Sequence, residues 1–144
     1  MFGFFHCQTS GMQVKEDQSF YMHHGIIAGE IWAALCTNIG AKKIVYGAST
    51  ITMQLAKNLY FRFTHSFLRK AAEIIIALAL ERKLGKERIL ELYINIIYFG
   101  NGVYGISDAA RFYFSKPVAD LSLNQMFMLA CMPSAPTRKP SWIR

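Results

Sequence analysis

Apolar residues recur at helical spacing along nearly the whole chain, and this periodicity restricts the fold more than any other feature of its 144 residues. From Phe67 the pattern continues to Leu84, stops at Gly85 and resumes from Lys86 to about Tyr98. Apolar residues three and four positions apart indicate amphipathic helices, whereas half-buried strands would alternate. We therefore predict an all-α or α-dominated domain of about six helices joined by short loops.

The sequence also marks where several helices begin and end. A helix is predicted to end at Gly40, a typical helix terminator, with Ile27, Ile31, Ala34 and Leu35 on one face. Ser49 or Thr50 is the expected N-cap of the following helix.

Two more helices are predicted towards the C-terminus. The glycine-rich stretch "YFGNGVYG" predicts a tight loop, followed by a helix that starts near Ser107 and Asp108. A final helix is expected to start at Ser122 and to end before Pro133 and Pro136, because proline cannot continue a helix.

Length and charge limit the kind of protein. A chain of this length is sufficient for a single domain, 1–144. The net charge of +7 favours an anionic partner, which is a nucleic acid, a phosphate or a lipid surface. No apolar stretch is long enough to span a membrane, and the N-terminus does not resemble a signal peptide. Either the chain is cytoplasmic, or a targeting and anchoring segment is missing from it.

The three cysteines indicate neither a zinc site nor a disulfide framework. Cys7, Cys36 and Cys131 are widely spaced and contain no CxxC pair. Cys36 and Cys131 stand in apolar surroundings, and we predict that both are small core residues.

Two adjacent acids, Glu16 and Asp17, lie in the stretch "KEDQSFYMHHG". One interpretation is an exposed pair at a helix start, where negative charge is electrostatically favoured. The other is a general base, because the neighbouring Phe20, Tyr21 and Met22 would partly desolvate a carboxylate. The residues alone leave both interpretations open.

His23 and His24 follow these acids. Adjacent residues on a helix point about 100° apart, so the two rings are poorly placed to bind one metal ion. We expect instead that one of them packs or forms a hydrogen bond beside the acids.

Arg69 and Glu73 are four residues apart and so share one helical face. A salt bridge is the ordinary interpretation of this spacing. Glu73 nevertheless borders a strongly apolar run, where an acid is costly unless it is paired or used in the chemistry. Arg69, together with Lys57, Arg62 and Lys70, has the chemistry to hold a diphosphate.

The stretch "GASTITMQLAKN" combines glycine, hydroxyl, amide and ammonium groups near a helix start. Backbone N–H groups there form a plausible phosphate or oxyanion site. It is not a Walker motif, because the order of glycine, lysine and hydroxyl residues is wrong.

Taken together, these stretches resemble the peptidoglycan glycosyltransferases (glycosyltransferase family 51), the transglycosylase domain of class A penicillin-binding proteins and of monofunctional transglycosylases. The first family motif is represented here by Glu16, Asp17, Phe20, His23 and Gly25. The second is "GASTITMQLAKN", and the third is Arg69, Lys70 and Glu73. The fourth is "ERILELYINIIYFGNGVYGISDAARFYFSK", and the closing proline motif is "MPSAPTRKP".

The resemblance implies a fold, a reaction and partners. The implied fold is a lysozyme-like glycosyltransferase domain with a small membrane-facing lobe, to which "LYFRFTHSFLRK" corresponds. The implied reaction polymerises lipid II into β-1,4-linked glycan strands, with inversion and release of undecaprenyl diphosphate. Lipid II, the growing strand, a membrane surface and cell-wall synthesis proteins are the implied partners. The location would be the extracytoplasmic face of the bacterial cytoplasmic membrane.

The resemblance also assigns residues to the site. Glu16 is the general base, and Glu73 is a second acid that assists departure of the diphosphate, positions the substrate or holds a divalent ion, Mg²⁺ or Mn²⁺. No cofactor is obligatory. The other implied substrate-binding residues are Asp17, Phe20, His23, Ser49, Thr50, Gln54, Lys57, Asn58, Arg69, Lys70 and Tyr98.

Some features depart from the family pattern. Met53 replaces a glutamine of the second motif, which we expect to remove an amide from the cleft. Asn124 and Gln125 stand where an acid is common, which we interpret as a structural change. We expect the N-terminal transmembrane helix and the longer lead-in typical of the family to be missing from this sequence.

Three functions therefore compete at this point. They are an active polymerase, a module of the same fold that binds lipid II or the cell wall without catalysis, and a muramidase with a shared catalytic glutamate. A nucleic-acid binder is disfavoured because its surface would lack the paired acids.

Overall fold

Helices dominate the computed structural model, which describes residues 16–41, 47–61 and 67–133. In this part of the chain the α-helices are α1 (Ala28–Ala41), α2 (Ile51–Tyr60), α3 (Phe67–Lys83), α4 (Lys86–Ile96), α5 (Ile106–Phe114) and α6 (Leu123–Cys131). Two short strands, β1 (Tyr98–Gly100) and β2 (Val103–Tyr104), separate α4 from α5, and a 3₁₀ turn (Val118–Asp120) precedes α6. The predicted α-dominated fold is confirmed. The predictions on Cys7, Arg62, Pro136 and the end of the proline motif lie outside the described residues.

Most predicted helix ends are confirmed. The break at Gly85 separates α3 from α4. Thr50 rather than Ser49 caps α2, because its side-chain oxygen accepts the Met53 N–H. Ser122 caps α6 in a reciprocal capping box with Gln125, which gives that glutamine the structural role expected of it.

The tight loop predicted around the glycines is a β-hairpin. Asn101 and Gly102 form its turn with φ of 51° and 78°, the conformation that favours an Asn-Gly pair in a two-residue hairpin. The Tyr113 hydroxyl, on α5, donates to the Phe99 carbonyl at 2.9 Å and accepts from Asn101 Nδ2 at 3.2 Å. Residues of α5 therefore hold the hairpin that the periodicity did not reveal.

The residues predicted to share one apolar face of this first helix are mostly not buried. Within this helix only Ala34 is buried, while Leu35 is 45% exposed and Trp32 is 68% exposed. Cys36 is exposed as well, and Cys131 is only partly buried, so the prediction of two core cysteines is also wrong. Apolar spacing shows which residues share a face, but not whether another element packs against that face.

The chain packs as two compact units. Among the described residues, one unit comprises 19–89 and the other comprises 16–18 with 90–133. In the first unit α2 packs against α3, and the fully buried residues include Phe20, Ile51, Leu55, Ala77 and Ile89. In the second, α5 contacts β2, α6 and the 3₁₀ turn, and the fully buried residues include Leu90, Tyr93, Phe99, Ala109 and Leu129.

In the described part of the chain, no helix combines the length and the apolar character needed to cross a membrane.

Gly105 and Gly102 provide a matched test of close packing, since both have a φ of +78°. A Cβ atom on Gly105 would lie 2.5 Å from the Asn95 carbonyl oxygen, whereas one on Gly102 would meet nothing within 4 Å. We expect Gly102→Ala to lower the free energy of unfolding by about 1–2 kcal/mol through backbone strain alone. Gly105→Ala should cost about 1–3 kcal/mol more because the backbone must shift. Equal losses for the two variants in urea unfolding would contradict this packing.

Candidate active site

A buried carboxylate lies between two cations on α3. Glu73 is 1% exposed, and its Oε2 accepts from Lys70 Nζ at 3.0 Å. Arg69 Nε lies 3.3 Å from Glu73 Oε1. Both cations precede the acid by about one helical turn, so α3 alone brings the three side chains to one face. The ion pair predicted from the four-residue spacing is confirmed.

This cluster extends to the start of α2. Lys70 Nζ also donates to Ser49 Oγ at 2.6 Å, and the Lys70 side chain is 41% exposed. Two positive charges therefore accompany one buried negative charge, and the Lys70 side chain remains partly exposed. Such a cluster has the charge and the hydrogen-bond donors to hold an anionic group.

The other predicted residues at or near α2 differ in burial and in hydrogen bonding. Thr50 is buried, and its hydroxyl donates to the Gly25 carbonyl at 2.6 Å while accepting the Met53 N–H at 3.2 Å. Gln54 Nε2 donates to the Ser49 carbonyl at 3.4 Å, Asn58 is partly buried and Lys57 is exposed. Substrate contacts by these four residues stay predictions.

Met53 is fully buried. The expectation that this position lines the cleft is therefore wrong, because its side chain presents no surface to a ligand. Methionine is flexible and apolar and fills core space well, so its presence in place of glutamine suits the position it occupies.

The first acid pair lies in the other unit with Tyr93. Asp17 is buried and Glu16 is partly buried, so the interpretation as a fully solvated pair is wrong. Burial, and then the negative charges of Glu16 and Asp17, raise the pKa of the Tyr93 phenol. Tyr93 therefore keeps its proton and can act as a hydrogen-bond donor near the acids. The sequence does not mark it, since a tyrosine within an apolar helical stripe is usually a core residue.

Tyr98 is also in this second unit, on β1. Its hydroxyl accepts the Gly102 N–H at 3.3 Å, and its ring lies 4.9 Å from that of Tyr104. These contacts stabilise the hairpin, and its role in lining a cleft stays a prediction.

The remaining predicted residues lie in a loop, which we call the entry loop (residues 19–27). Phe20 is buried, and His23 Nδ1 accepts the Gly25 N–H at 3.0 Å. The His23 and Phe20 rings meet edge to face, with centroids 6.2 Å apart. In the described ranges, no group of three His, Cys, Asp or Glu residues is arranged to hold a metal ion.

The entry loop makes a further contact that the sequence did not predict. The Tyr21 hydroxyl donates to Glu87 Oε1 at 2.6 Å. Partial burial first, then this hydrogen bond and the Glu87 charge, raise the pKa of Tyr21 to about 12. The partners are 66 residues apart, so no local pattern could have paired them.

Comparison with known proteins supports the motif pattern. A family model described as Transglycosylase matches residues 9–142. The chain is 48% identical over 122 residues to penicillin-binding protein 1F of Bacillus subtilis, a match that covers 85% of this chain and 17% of that protein. It is 47% identical over 123 residues to penicillin-binding protein 1A of Pseudomonas aeruginosa, covering 85% of this chain and 15% of that protein. The chain thus spans only a small part of the length of these relatives.

Substitutions at Thr50 test whether its hydroxyl stabilises the fold. Thr50→Ala removes the α2 cap, which typically contributes about 1 kcal/mol. It also leaves the buried Gly25 carbonyl without this donor, at a cost of about 1–3 kcal/mol. We expect a lower urea midpoint for Thr50→Ala and a nearly unchanged one for Thr50→Ser, which keeps the hydroxyl. Equal destabilisation by both variants would show that the methyl group, and not the hydroxyl, matters.

Proposed function

The chain belongs to the transglycosylase family, and we propose that it is a peptidoglycan glycosyltransferase that polymerises lipid II into β-1,4-linked glycan strands. The observation that carries the proposal is the pairing of buried Glu73 with Arg69 and Lys70. The Lys70 side chain is partly exposed there, and its ammonium group also donates to Ser49. This cluster suits the departure of a diphosphate, which is the leaving group of the proposed reaction.

In the proposed step, the 4-hydroxyl oxygen of the acceptor sugar attacks the anomeric carbon of the lipid-linked chain. Glu16 takes the proton of that hydroxyl as general base. The bond between the anomeric carbon and the diphosphate oxygen breaks, and undecaprenyl diphosphate leaves with the bonding electrons. Attack opposite the leaving group inverts the anomeric carbon, so base and charge stabilisation act on opposite faces of the sugar.

Charge stabilisation of the leaving group falls to the cations. We assign Arg69, Lys70 and Lys57 to the diphosphate oxygens, since guanidinium and ammonium groups form charge-assisted hydrogen bonds with phosphate. Glu73 holds Arg69 and Lys70 in ion pairs, which favours a role in positioning these cations over one as a proton donor.

The scheme requires no cofactor. Each carboxylate oxygen of Glu73 already faces a cation, Nε of Arg69 or Nζ of Lys70. A Mg²⁺ or Mn²⁺ ion at Glu73 would lie beside these two positive charges, which repel it.

A membrane surface is the proposed setting. The substrate carries a lipid, and large apolar side chains are exposed on unit 19–89, including Trp32, Ile39, Tyr60 and Leu68. Apolar side chains of this size, on a chain with a net charge of +7, favour an anionic lipid surface. The extracytoplasmic face of the bacterial cytoplasmic membrane, with other cell-wall synthesis proteins as partners, is the location that fits the substrate.

Glu16→Gln tests the assignment of the base. Because a positioned general base contributes about 10²–10⁴-fold, we expect the rate of lipid II polymerisation to fall by that factor, with an unchanged circular dichroism spectrum. Glu30→Gln, which alters an exposed acid in the first turn of α1, is the matched control and should keep wild-type activity. The assay follows glycan strands made from lipid II in detergent, with and without Mg²⁺.

Two outcomes would contradict this function. A wild-type chain that binds lipid II but makes no polymer under any of these conditions would be a binding module. Release of fragments from purified cell wall would identify a muramidase. Normal polymerisation by Glu16→Gln would remove Glu16 from the mechanism.

A further inference from the structure

Lys86, the first residue of α4, makes contacts in three directions. Its Nζ donates to the His23 carbonyl at 2.6 Å and to Glu81 Oε1 at 2.8 Å. The same nitrogen lies 4.5 Å from the centroid of the Phe20 ring. The Lys86 side chain is thus largely buried between the entry loop and the end of α3, all within unit 19–89.

A lysine at this position is unfavourable in two respects. The N-terminus of a helix carries partial positive charge, which repels a cation. Ordering a long flexible side chain also costs conformational entropy. The Glu81 carboxylate and the Phe20 ring face offset these costs, since both attract an ammonium group. The position therefore suits a lysine because its ammonium group binds the Glu81 carboxylate, the Phe20 ring and the His23 carbonyl.

Glu81 is a fixed anchor for this lysine. Its Oε1 also accepts from Thr52 Oγ1 at 2.7 Å, and Thr52 is fully buried. A Cβ atom on Gly25 would lie 2.8 Å from Glu81 Cγ and 3.1 Å from the Ala77 carbonyl oxygen. The entry loop thus rests directly on α3 at Glu81, where only glycine fits.

We propose that Lys86 is a positioning residue that clamps the entry loop against α3, with Glu81 as its anchor. The clamp fixes the His23 carbonyl and the buried Phe20 ring, and so it orients the loop that carries His23, a residue that the family resemblance assigns to the substrate cleft. Its consequence for catalysis rests on the proposed glycosyltransferase function, whereas its effect on the loop does not.

Hydrogen exchange of the full 144-residue chain tests the clamp without any substrate. The Gly25 and Met22 amides donate to His23 Nδ1 and to the Ser19 carbonyl, so their exchange reports whether the loop is held. We expect Lys86→Met to speed their exchange at least tenfold and to leave the amides of α6 unchanged. Lys86→Arg keeps the positive charge and should retain most of the protection. Lys83→Met, which alters an exposed lysine at the end of α3, is the matched control.

Kinetics with lipid II test the consequence. We expect Lys86→Met to lower kcat/KM at least tenfold, and Lys86→Arg to restore much of the loss, while Lys83→Met stays at the wild-type value. Glu81→Gln should lower kcat/KM too, and its combination with Lys86→Met should lose less than the product of the single effects, because both act through one clamp.

Two results would overturn the proposal. One is unchanged exchange of the entry-loop amides in Lys86→Met. The other is a folded Lys86→Met protein with wild-type kcat/KM. If the wild-type chain makes no polymer, the proposed function fails, and the exchange experiment still decides the role of Lys86.

Discussion

Burial of the Glu73 carboxylate is the constraint on which the described site depends. Removing a charge from water costs several kcal/mol unless partners compensate for it. Arg69 and Lys70 supply that compensation from the preceding turn of α3, and Lys70 then reaches Ser49 at the start of α2. The acid therefore orders its own cations and, through Lys70, links the second motif to the third. A neutral residue in its place would leave these cations without the anion that orients them.

The entry loop obeys a related requirement. A segment without regular structure must find partners for its backbone groups elsewhere, and here side chains of the helices provide them. The Thr50 hydroxyl donates a hydrogen bond to the Gly25 carbonyl, and the Lys86 ammonium group donates one to the His23 carbonyl. Thr50, a residue of the second motif, therefore supports the loop with its hydroxyl.

Predictions from periodicity succeeded where the decisive contacts are local. The break at Gly85, the cap at Ser122 and the ion pair of Arg69 with Glu73 all involve residues within one or two helical turns. The pattern for α1 did not show that apolar residues such as Trp32 and Leu35 would be exposed, because periodicity does not indicate whether another element packs against a face. The expectation for Met53 failed for the converse reason, since motif position alone does not show which side of α2 is buried.

The helical class, most helix ends, the order of the motifs and the pairing of Glu73 with Arg69 could be predicted without the structure. These follow from spacing, because residues three or four apart on a helix are neighbours in any fold. Three contacts became visible in the folded chain alone: Thr50 holds Gly25, Tyr93 lies near the charges of Glu16 and Asp17, and Lys86 reaches His23 across 63 residues. Contacts between residues so distant along the chain depend on how the helices pack, and local spacing does not predict that packing.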